Sequence, residues 1–256
     1  LLEQLQIDCV LDVGANRGQF AQEVRKIGYR GLIVSFEPVG SEFLVMKEKF
    51  ASDAHWRGHQ VALGSENASM SITVPHLTVM SSLLTPLNPG KADRTEVVDV
   101  KRLDDMMRSL QKLDSFSRAF LKMDTQGYDL EVFSGASGCI DMIQGIQSEL
   151  SIQPLYADMP HYIEALNTYE GAGFDLHNLS VVNRLPEGAR KLSAEMQRPS
   201  PEPSAIGTMQ QTAQELVDEA VSVSLDETAT SVRLLAERAH VVAEGAGGLA
   251  LAAARA

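Results

Sequence analysis

The sequence predicts an α/β protein built on a mostly parallel, doubly wound sheet with an antiparallel insertion. Short β-branched apolar runs alternate with segments of helical period, and a glycine-containing loop follows the first run. Residues 67–100 break this alternation with short strand candidates separated by prolines. Strands that alternate with helices form parallel sheets, because each helix carries the chain back to start the next strand in the same direction.

Two strand–helix units and a third strand make up the first part of the pattern. The strands are CVLDV (9–13), LIVSF (32–36) and HQVAL (59–63). Ser41 is expected to cap the second helix, because a serine hydroxyl accepts a hydrogen bond from a free backbone N–H at a helix start. Apolar residues at helical spacing mark the inner faces of the two helices, Phe20, Val24 and Ile27 in the first and Phe43, Met46 and Phe50 in the second.

The insertion and the segments after it complete the pattern. SITV (71–74) and EVVDV (96–100) are the strands expected in the insertion, while AFLKM (119–123) and GIQSELSI (145–152) are buried strands of the main sheet. Helices are expected before, between and after these last two strands. Their markers are an acidic start at Asp104 and Asp105 with the stripe Leu103, Met106, Met107, Leu110 and Leu113, then DLEVFSGA (129–136), then Tyr162, Leu166 and Tyr169.

Composition limits the class of protein. The 256 residues include 22 basic and 34 acidic side chains, a formal charge of −12, which argues against nucleic-acid binding through clustered Lys and Arg. Cys9 and Cys139 lie in apolar segments and suit free thiols in a reducing compartment. No apolar run approaches the roughly 20 residues that cross a bilayer. We expect a cytoplasmic protein with no signal peptide and no membrane span.

The loop in VLDVGANRGQF (10–20) is the first candidate site. Ligands of such sheets bind at the carboxyl ends of the strands, and Gly14 and Gly18 let the backbone turn tightly and approach a ligand. Asn16 stands where a dinucleotide loop of the form G-x-G-x-x-G has its middle glycine, which argues against NAD. The acidic Asp12 would repel a phosphate and would suit a ligand with an ammonium group.

Glu37 is the second part of this site. It follows the second strand, where an acid can accept hydrogen bonds from both hydroxyls of an adenosine ribose. Together with Asp12 it describes S-adenosyl-L-methionine better than NAD. The residues also allow a purely structural interpretation, in which Asp12 caps the loop and Glu37 is a surface acid before Pro38.

Six stretches occur in an order that resembles the FkbM-type methyltransferases, which use S-adenosylmethionine to methylate hydroxyl groups. They are VLDVGANRGQF, IVSFEPV, VALGS, MSSLL, LKMDTQGYDLEVFSGA and QSELSIQPLY. The resemblance covers about residues 7–184 and implies a Rossmann-like class I methyltransferase fold. It places the donor site at Asp12, Gly14, Ala15 and Gly18 in the cofactor loop, Glu37 at the ribose, Val61 and Ala62 near the adenine, and Asp124 and Gly127 beside the methyl group.

A hydroxyl acceptor needs a base, and two carboxylates are candidates. Asp124 follows the strand AFLKM, and Glu149 lies at the end of the next strand. Each also has a structural interpretation, since Asp124 could cap the following helix and Glu149 could pair with a basic residue. His55 and His59 have a metal-ligand spacing for a helix, but Gly58 and a strand interrupt it, so we expect no metal site.

Composition changes after RPSPEPS (198–204), which indicates a junction. Residues 217–256 resemble the C-terminal end of the catalytic domain of threonine dehydratases, which are pyridoxal-phosphate enzymes, most clearly at EGAGG (244–248). The last lysine is Lys191. The tail therefore has no amine for a Schiff base, and we expect neither pyridoxal chemistry nor a role in donor binding.

The junction divides the chain into three parts: an FkbM-like methyltransferase domain (1–198), a linker (199–208) and a threonine-dehydratase-like fragment (209–256). In the fragment we expect helices at 209–220, at 226–239 and in the alanine-rich end. LSAEMQ (192–197) could be a shortened edge strand of the first domain.

These observations predict an S-adenosylmethionine-dependent O-methyltransferase acting on a small-molecule, sugar or lipid-linked acceptor. Two alternatives remain open at this point. One is an NAD-dependent oxidoreductase on a similar sheet, and the other is a non-catalytic chimeric or truncated product. Cofactor affinity of the purified protein separates the three.

Overall fold

A computed structural model of the chain describes residues 1–90, 93–151, 154–181 and 249–255. The chain divides into two compact units. The first contains Leu1–Asn178 and Ala250–Ala256, and the second, Leu179–Leu249, lies largely outside the described residues.

The described residues form ten strands and five α-helices. The strands are β1 (Cys9–Val13), β2 (Leu32–Phe36), β3 (Trp56–His59), β4 (Ala62–Leu63), β5 (Ala68–Val74), β6 (Arg94–Lys101), β7 (Ala119–Met123), β8 (Ile143–Leu150), β9 (Phe174–Val181) and β10 (Leu249–Arg255). The helices are α1 (Gln19–Lys26), α2 (Gly40–Lys49), α3 (Leu103–Leu113), α4 (Asp129–Ser134) and α5 (Tyr162–Gly171).

A seven-stranded sheet with the order β3-β2-β1-β7-β8-β10-β9 is the centre of the first unit. The pairs β1–β2, β1–β7, β2–β3 and β7–β8 are parallel. The chain runs outward from β1 to β3 and then returns to place β7 on the other side of β1. The strand order therefore reverses between β1 and β7, and their carboxyl ends meet where Val13 lies opposite Met123. Such a reversal is where α/β sheets bind ligands.

This architecture confirms the predicted fold class, an α/β protein with a mostly parallel sheet. The buried strands explain why, since every residue of β1, β2 and β7 is buried. A strand that is covered by helices on both faces gains by being apolar throughout instead of alternating with polar residues.

The predicted antiparallel insertion is also confirmed. β5 and β6 pair antiparallel from Ala68 opposite Val100 to Val74 opposite Arg94, and β4 lies parallel to β6. The resulting three-stranded sheet buries one face, formed by Ile72, Val74, Val98 and Val100 together with Val39 and Ala62. Alternation of apolar and polar residues in β5 is typical of a sheet with one covered face.

The predicted third strand at 59–63 is wrong in its bounds. β3 ends at His59 in the main sheet, and Ala62–Leu63 form β4 in the insertion sheet. The physical reason is that Ala62 packs into the apolar cluster of the insertion, which draws the chain away from β2 after His59.

Three predictions about the helices need correction. Ile27 follows the end of α1 and is 77% exposed, and Leu113, the last residue of α3, is 76% exposed. An apolar stripe buries residues only along the part of the helix that lies over the core.

Ser41 does not cap α2, because the helix begins at Gly40, Val39 occupies the N-cap position and the Ser41 hydroxyl donates to Glu42. Phe43, Met46 and Phe50 are buried as predicted.

The alanine-rich end of the chain is a strand, so the helix predicted there is wrong. β10 lies between β8 and β9 in the main sheet. Helix propensity is worth only a few tenths of a kcal/mol per residue and tertiary context overrides it. The predicted linker, the helices at 209–220 and 226–239 and the strand LSAEMQ lie outside the described residues.

Cys9 and Cys139 are free thiols, both buried, as predicted. Across the described residues, no helix has the length and apolarity that crossing a bilayer requires.

Candidate functional site

A cleft opens at the carboxyl ends of the central strands. It encloses about 510 Å³, part of it open to solvent. Its walls include the predicted donor residues Gly14, Glu37, Val61, Ala62 and Asp124. Further lining side chains come from the insertion and the neighbouring loops, among them Asn16, Thr78, Val79, Ser82, Leu83, Thr125 and Tyr128.

Gly14 forms the floor of this cleft in a way that no other residue could. Its φ is +70°, in the left-handed region, and a Cβ built on it would lie 2.0 Å from the Asp124 carbonyl oxygen. The N–H groups of Gly14 and Ala15 both donate to the Phe36 carbonyl at 3.1 Å. The loop after β1 is therefore held tightly between the ends of β2 and β7.

Ala15 and Gly18, two further predicted loop residues, have packing roles. Ala15 is buried. Gly18 precedes α1 with φ +73°, and a Cβ there would lie 2.6 Å from the Phe50 ring. Neither is among the residues that line the cleft.

Asn16 occupies the position at which a dinucleotide loop has its middle glycine. Its φ is +46°, a left-handed conformation that Asn adopts more readily than most residues. Its N–H donates to Glu37 Oε2 at 2.7 Å, and its side-chain amide donates to the Thr78 hydroxyl at 3.2 Å. Asn16 thus links the glycine loop both to the acid after β2 and to the insertion.

Glu37 is buried, so its interpretation as a surface acid is wrong. It is 5% exposed, and its Oε1 accepts the Val39 N–H at 2.8 Å while Oε2 accepts the Asn16 N–H. Burial raises the pKa of Glu37 to about 7, although the two backbone N–H groups oppose the rise. Each carboxylate oxygen has a second lone pair, and the side chain lines the cleft.

Asp12 pairs with an ammonium group of the protein itself, where the sequence suggested a ligand ammonium. The side chain is fully buried, and its Oδ1 lies 3.1 Å from Lys122 Nζ. The two residues are register partners on the adjacent strands β1 and β7. Burial raises the pKa of the Asp12 carboxyl, and the Lys122 charge opposes that rise. Asp12 is not among the cleft-lining residues.

Lys122 was not singled out from the sequence, yet it joins several parts of the site. Its ammonium lies 3.2 Å from the Gly14 carbonyl, 3.4 Å from the Val13 carbonyl and 3.5 Å from Asp124 Oδ2. Burial alone would lower the pKa of Lys122, but the charges of Asp12 and then Asp124 outweigh it and raise the pKa. The residue therefore carries a positive charge behind the cleft.

The two predicted bases lie on either side of one amide. Gln126 Nε2 donates to Asp124 Oδ1 at 3.1 Å and to Glu149 Oε2 at 3.0 Å. Burial, and then the charge of Asp124, raise the pKa of Glu149 to about 8. We call Asp124, Gln126 and Glu149 the carboxylate cluster. Asp124 lines the cleft, whereas Glu149 lies behind it.

The structural alternatives for the two acids do not hold among the described residues. The N-cap position of α4 is Tyr128, without a side-chain cap bond, so Asp124 is not a helix cap. Glu149 has the Gln126 amide as its side-chain partner instead of a basic residue.

Two residues missed from the sequence position this cluster. Asp129 is buried in α4 and accepts hydrogen bonds from the Thr125 N–H, the Thr125 hydroxyl, the Ser148 hydroxyl at 2.6 Å and the Glu149 N–H. Ser82 of the insertion donates to the Gln126 carbonyl at 2.9 Å. The sequence clues were the motif DTQGYD, in which Asp129 is the second acid, and the stretch MSSLL, which contains Ser82.

The positive φ of Gln126 (+53°) and Gly127 (+93°) makes the tight turn that aims the Gln126 amide. Gly127 is packed against Met159 and Leu84 and is not among the cleft-lining residues.

His59 stacks on Phe36 with ring centroids 5.5 Å apart, a packing role. Within the described residues no group of three His, Cys, Asp or Glu side chains is placed to hold a metal ion.

The sheet order and the ligand cleft at its reversal point define a class of protein, the α/β enzymes with a Rossmann-like methyltransferase fold. The chain belongs to the family of methyltransferase FkbM domains, which its sequence matches over residues 12–176. The resemblance inferred from the six stretches is thereby confirmed for this part of the chain. The resemblance of residues 217–256 to threonine dehydratases has no such support and stays a prediction.

The solved structures that match this chain share little sequence with it. A protein from Bacillus halodurans described as a methyltransferase is 11% identical, with 99% of this chain and 98% of that one covered and a TM-score of 0.41. The O-MT region of StiE is 10% identical, with 98% and 69% covered and a TM-score of 0.42. The [4+2]-cyclase SpnF is 13% identical, with 96% and 75% covered and a TM-score of 0.39. No curated protein gives a significant match.

Proposed function

We propose that this methyltransferase uses S-adenosyl-L-methionine to methylate a hydroxyl group. The observation that carries the proposal is the charge of the cleft. Among the described residues, the side chains that line it include the carboxyl groups of Glu37 and Asp124 but no Lys, Arg or His. A pyrophosphate needs positive charge or free backbone N–H groups, whereas a sulfonium with an amino group is favoured by carboxylates. The cleft therefore suits this donor better than NAD.

The lining of the cleft also fits such a donor. Gly14 offers bare backbone on one side, and Val61 and Ala62 offer an apolar surface on another. In our proposal Glu37 accepts hydrogen bonds from the ribose hydroxyls with the lone pairs that its backbone partners leave free, and Val61 and Ala62 contact the adenine.

The donor supplies an activated methyl group for in-line displacement, so this chain must position the acceptor and take up one proton. Asp124 is proposed as the base because it reaches both the cleft and the Gln126 amide. Glu149 is the second candidate. It lies one amide away from Asp124, because Gln126 donates a hydrogen bond to each of the two carboxyl groups.

The acceptor is proposed to be a small-molecule or glycan hydroxyl. The insertion contributes Thr78, Val79 and Leu83 to the cleft wall, a mixed polar and apolar surface without charge. The methyltransferase domain is proposed to be residues 1–198, followed by the linker at 199–208 and the fragment at 209–256, whose end contributes β10 to the main sheet.

Calorimetry on the purified full chain tests the donor. S-adenosylhomocysteine, the product of the donor, should bind with a dissociation constant in the micromolar range or tighter, and NAD should show no binding at millimolar concentration. Binding of NAD alone would contradict the proposal, and binding of neither would favour the non-catalytic alternative.

A further inference from the structure

The buried ammonium of Lys122 has more partners than the neutralisation of one buried acid requires. A single positive charge at 3.1 Å from Asp12 Oδ1 is enough to neutralise the Asp12 carboxylate. The same ammonium also faces the carbonyl oxygens of Val13 and Gly14 and, on its other side, Asp124. Three N–H donors are thus shared among four acceptors, two of which are backbone atoms of the cleft floor.

These partners belong to different parts of the site. Gly14 lines the side of the cleft where the donor is proposed to lie, and Asp124 belongs to the carboxylate cluster on the acceptor side. The Phe20 ring covers the ammonium, with Nζ 5.5 Å from the ring centroid. The side chain is 6% exposed. Water therefore has little access to replace the contacts that Lys122 makes.

We infer that Lys122 is a positioning residue that fixes the Gly14 carbonyl and the Asp124 carboxylate relative to each other and so preorganises the cleft for the donor. The inference rests on the proposed function. Lys122 touches neither donor nor acceptor in this arrangement, since it is not among the cleft-lining residues. It acts through the loop and the carboxylate that do line the cleft.

A purely structural role makes a different prediction. If Lys122 only neutralised Asp12, it would be dispensable once Asp12 itself carried no charge. If it also holds Gly14 and Asp124, neutralising Asp12 cannot replace it, because a methionine at position 122 has no N–H group to donate to the Gly14 carbonyl or to Asp124.

The experiment compares Lys122→Met with the paired variant Asp12→Asn/Lys122→Met in the full chain. Thermal melting gives stability, and calorimetry with S-adenosylhomocysteine gives donor-site affinity. Lys122→Met alone leaves a buried carboxylate unpaired and is expected to melt well below the parent. The paired variant should recover most of the melting temperature but bind S-adenosylhomocysteine at least tenfold more weakly than the parent. Lys112→Met, an exposed substitution at the end of α3, is the matched control and should bind like the parent.

Each outcome decides between the two roles. A paired variant that binds within about twofold of the parent would overturn the inference and leave the proposed function intact. A parent chain that does not bind S-adenosylhomocysteine would overturn the proposed function, and this inference with it. Recovered stability without recovered affinity would establish the positioning role.

Discussion

The donor side and the acceptor side of the cleft are held together by different kinds of contact. On the donor side the critical contacts are made by backbone: Gly14 and Ala15 donate to the Phe36 carbonyl, and Glu37 is held by the N–H groups of Asn16 and Val39. On the acceptor side they are made between side chains, since Gln126 holds Asp124 and Glu149 through its amide.

This difference determines what each side is sensitive to. A backbone-built site has fixed geometry, so it should fail when a side chain is added where none fits. A site built from carboxylates and an amide keeps its shape but changes its charge with pH, because the pKa of Glu149 is raised to about 8. We therefore expect the backbone contacts of the donor side to respond to steric change and the carboxylate cluster to respond to protonation. Glu37 adds a protonation on the donor side, because burial raises its pKa to about 7.

Gly14→Ala is expected to have the largest effect. The added Cβ would meet the Asp124 carbonyl at 2.0 Å, and φ of +70° costs a non-glycine residue about 1–2 kcal/mol even without a clash. We expect a fall in melting temperature and at least a 100-fold loss of S-adenosylhomocysteine affinity by calorimetry.

Gly28→Ala is the matched control for that variant. Gly28 also has a positive φ, +101°, but a Cβ there meets nothing within 4 Å. The stability of this variant should fall only by the cost of a positive φ for alanine, and it should bind S-adenosylhomocysteine like the parent. Equal losses in the two variants would show that backbone strain, and not the close approach at the cleft, limits binding.

Asp124→Asn should affect chemistry more than binding. General bases typically contribute about 10²–10⁴ in rate, so turnover should fall by about that factor with an alcohol acceptor found in a panel of sugars, polyketides and lipids. The asparagine keeps the shape of the side chain, and S-adenosylhomocysteine affinity should change less than threefold. Turnover within a few-fold of the parent would move the base role to Glu149.

Glu37→Gln should weaken donor binding to a smaller degree. A hydrogen bond to a charged group contributes about 1.5–3 kcal/mol, which corresponds to a loss of roughly 10- to 150-fold in S-adenosylhomocysteine affinity. In the glutamine, an NH₂ group replaces one carboxylate oxygen and faces the backbone N–H of Asn16 or Val39. Two donors then oppose each other, so the variant should also be less stable than the parent. Glu48→Gln, an exposed change on α2, should leave both quantities unchanged. Unchanged affinity in Glu37→Gln would refute its assignment to the ribose.

Glu149→Gln should have the smallest effect, one that depends on pH. Because burial raises the pKa of Glu149 from its ordinary 4.5 to about 8, the folded state favours the protonated form. That stability is fully present below about pH 4.5 and is lost as the pH rises through about 8. The glutamine cannot ionise, so the parent's melting temperature should fall relative to that of the variant between pH 5 and pH 9, by a few degrees.

Melting curves over that range for Glu131→Gln, an exposed change on α4, provide the comparison. Glu131→Gln should follow the parent at every pH. If Glu149→Gln also follows the parent, the carboxylate cluster is not the pH-sensitive side of the cleft.

Local sequence was enough to predict much of the fold. β1, β2 and β7 lie where short apolar runs predicted them, and β7 coincides with AFLKM. Gly14 and Glu37 were predicted because a tight turn and a strand end each require particular residues at fixed positions along the chain. These features depend on neighbours in sequence, which is why composition and spacing reveal them.

The partners of the charged residues were decided by the tertiary structure. Asp12 was expected to meet a ligand ammonium, but the register between β1 and β7 places Lys122, 110 residues away in the chain, directly beside it. Gln126 joins Asp124 to Glu149 only because β7 and β8 are adjacent in the sheet. Likewise an alanine-rich segment with helical preference became β10 because the sheet offered it a place between two strands. Strand order and register bring distant residues within a few ångströms of each other, and no local pattern encodes either.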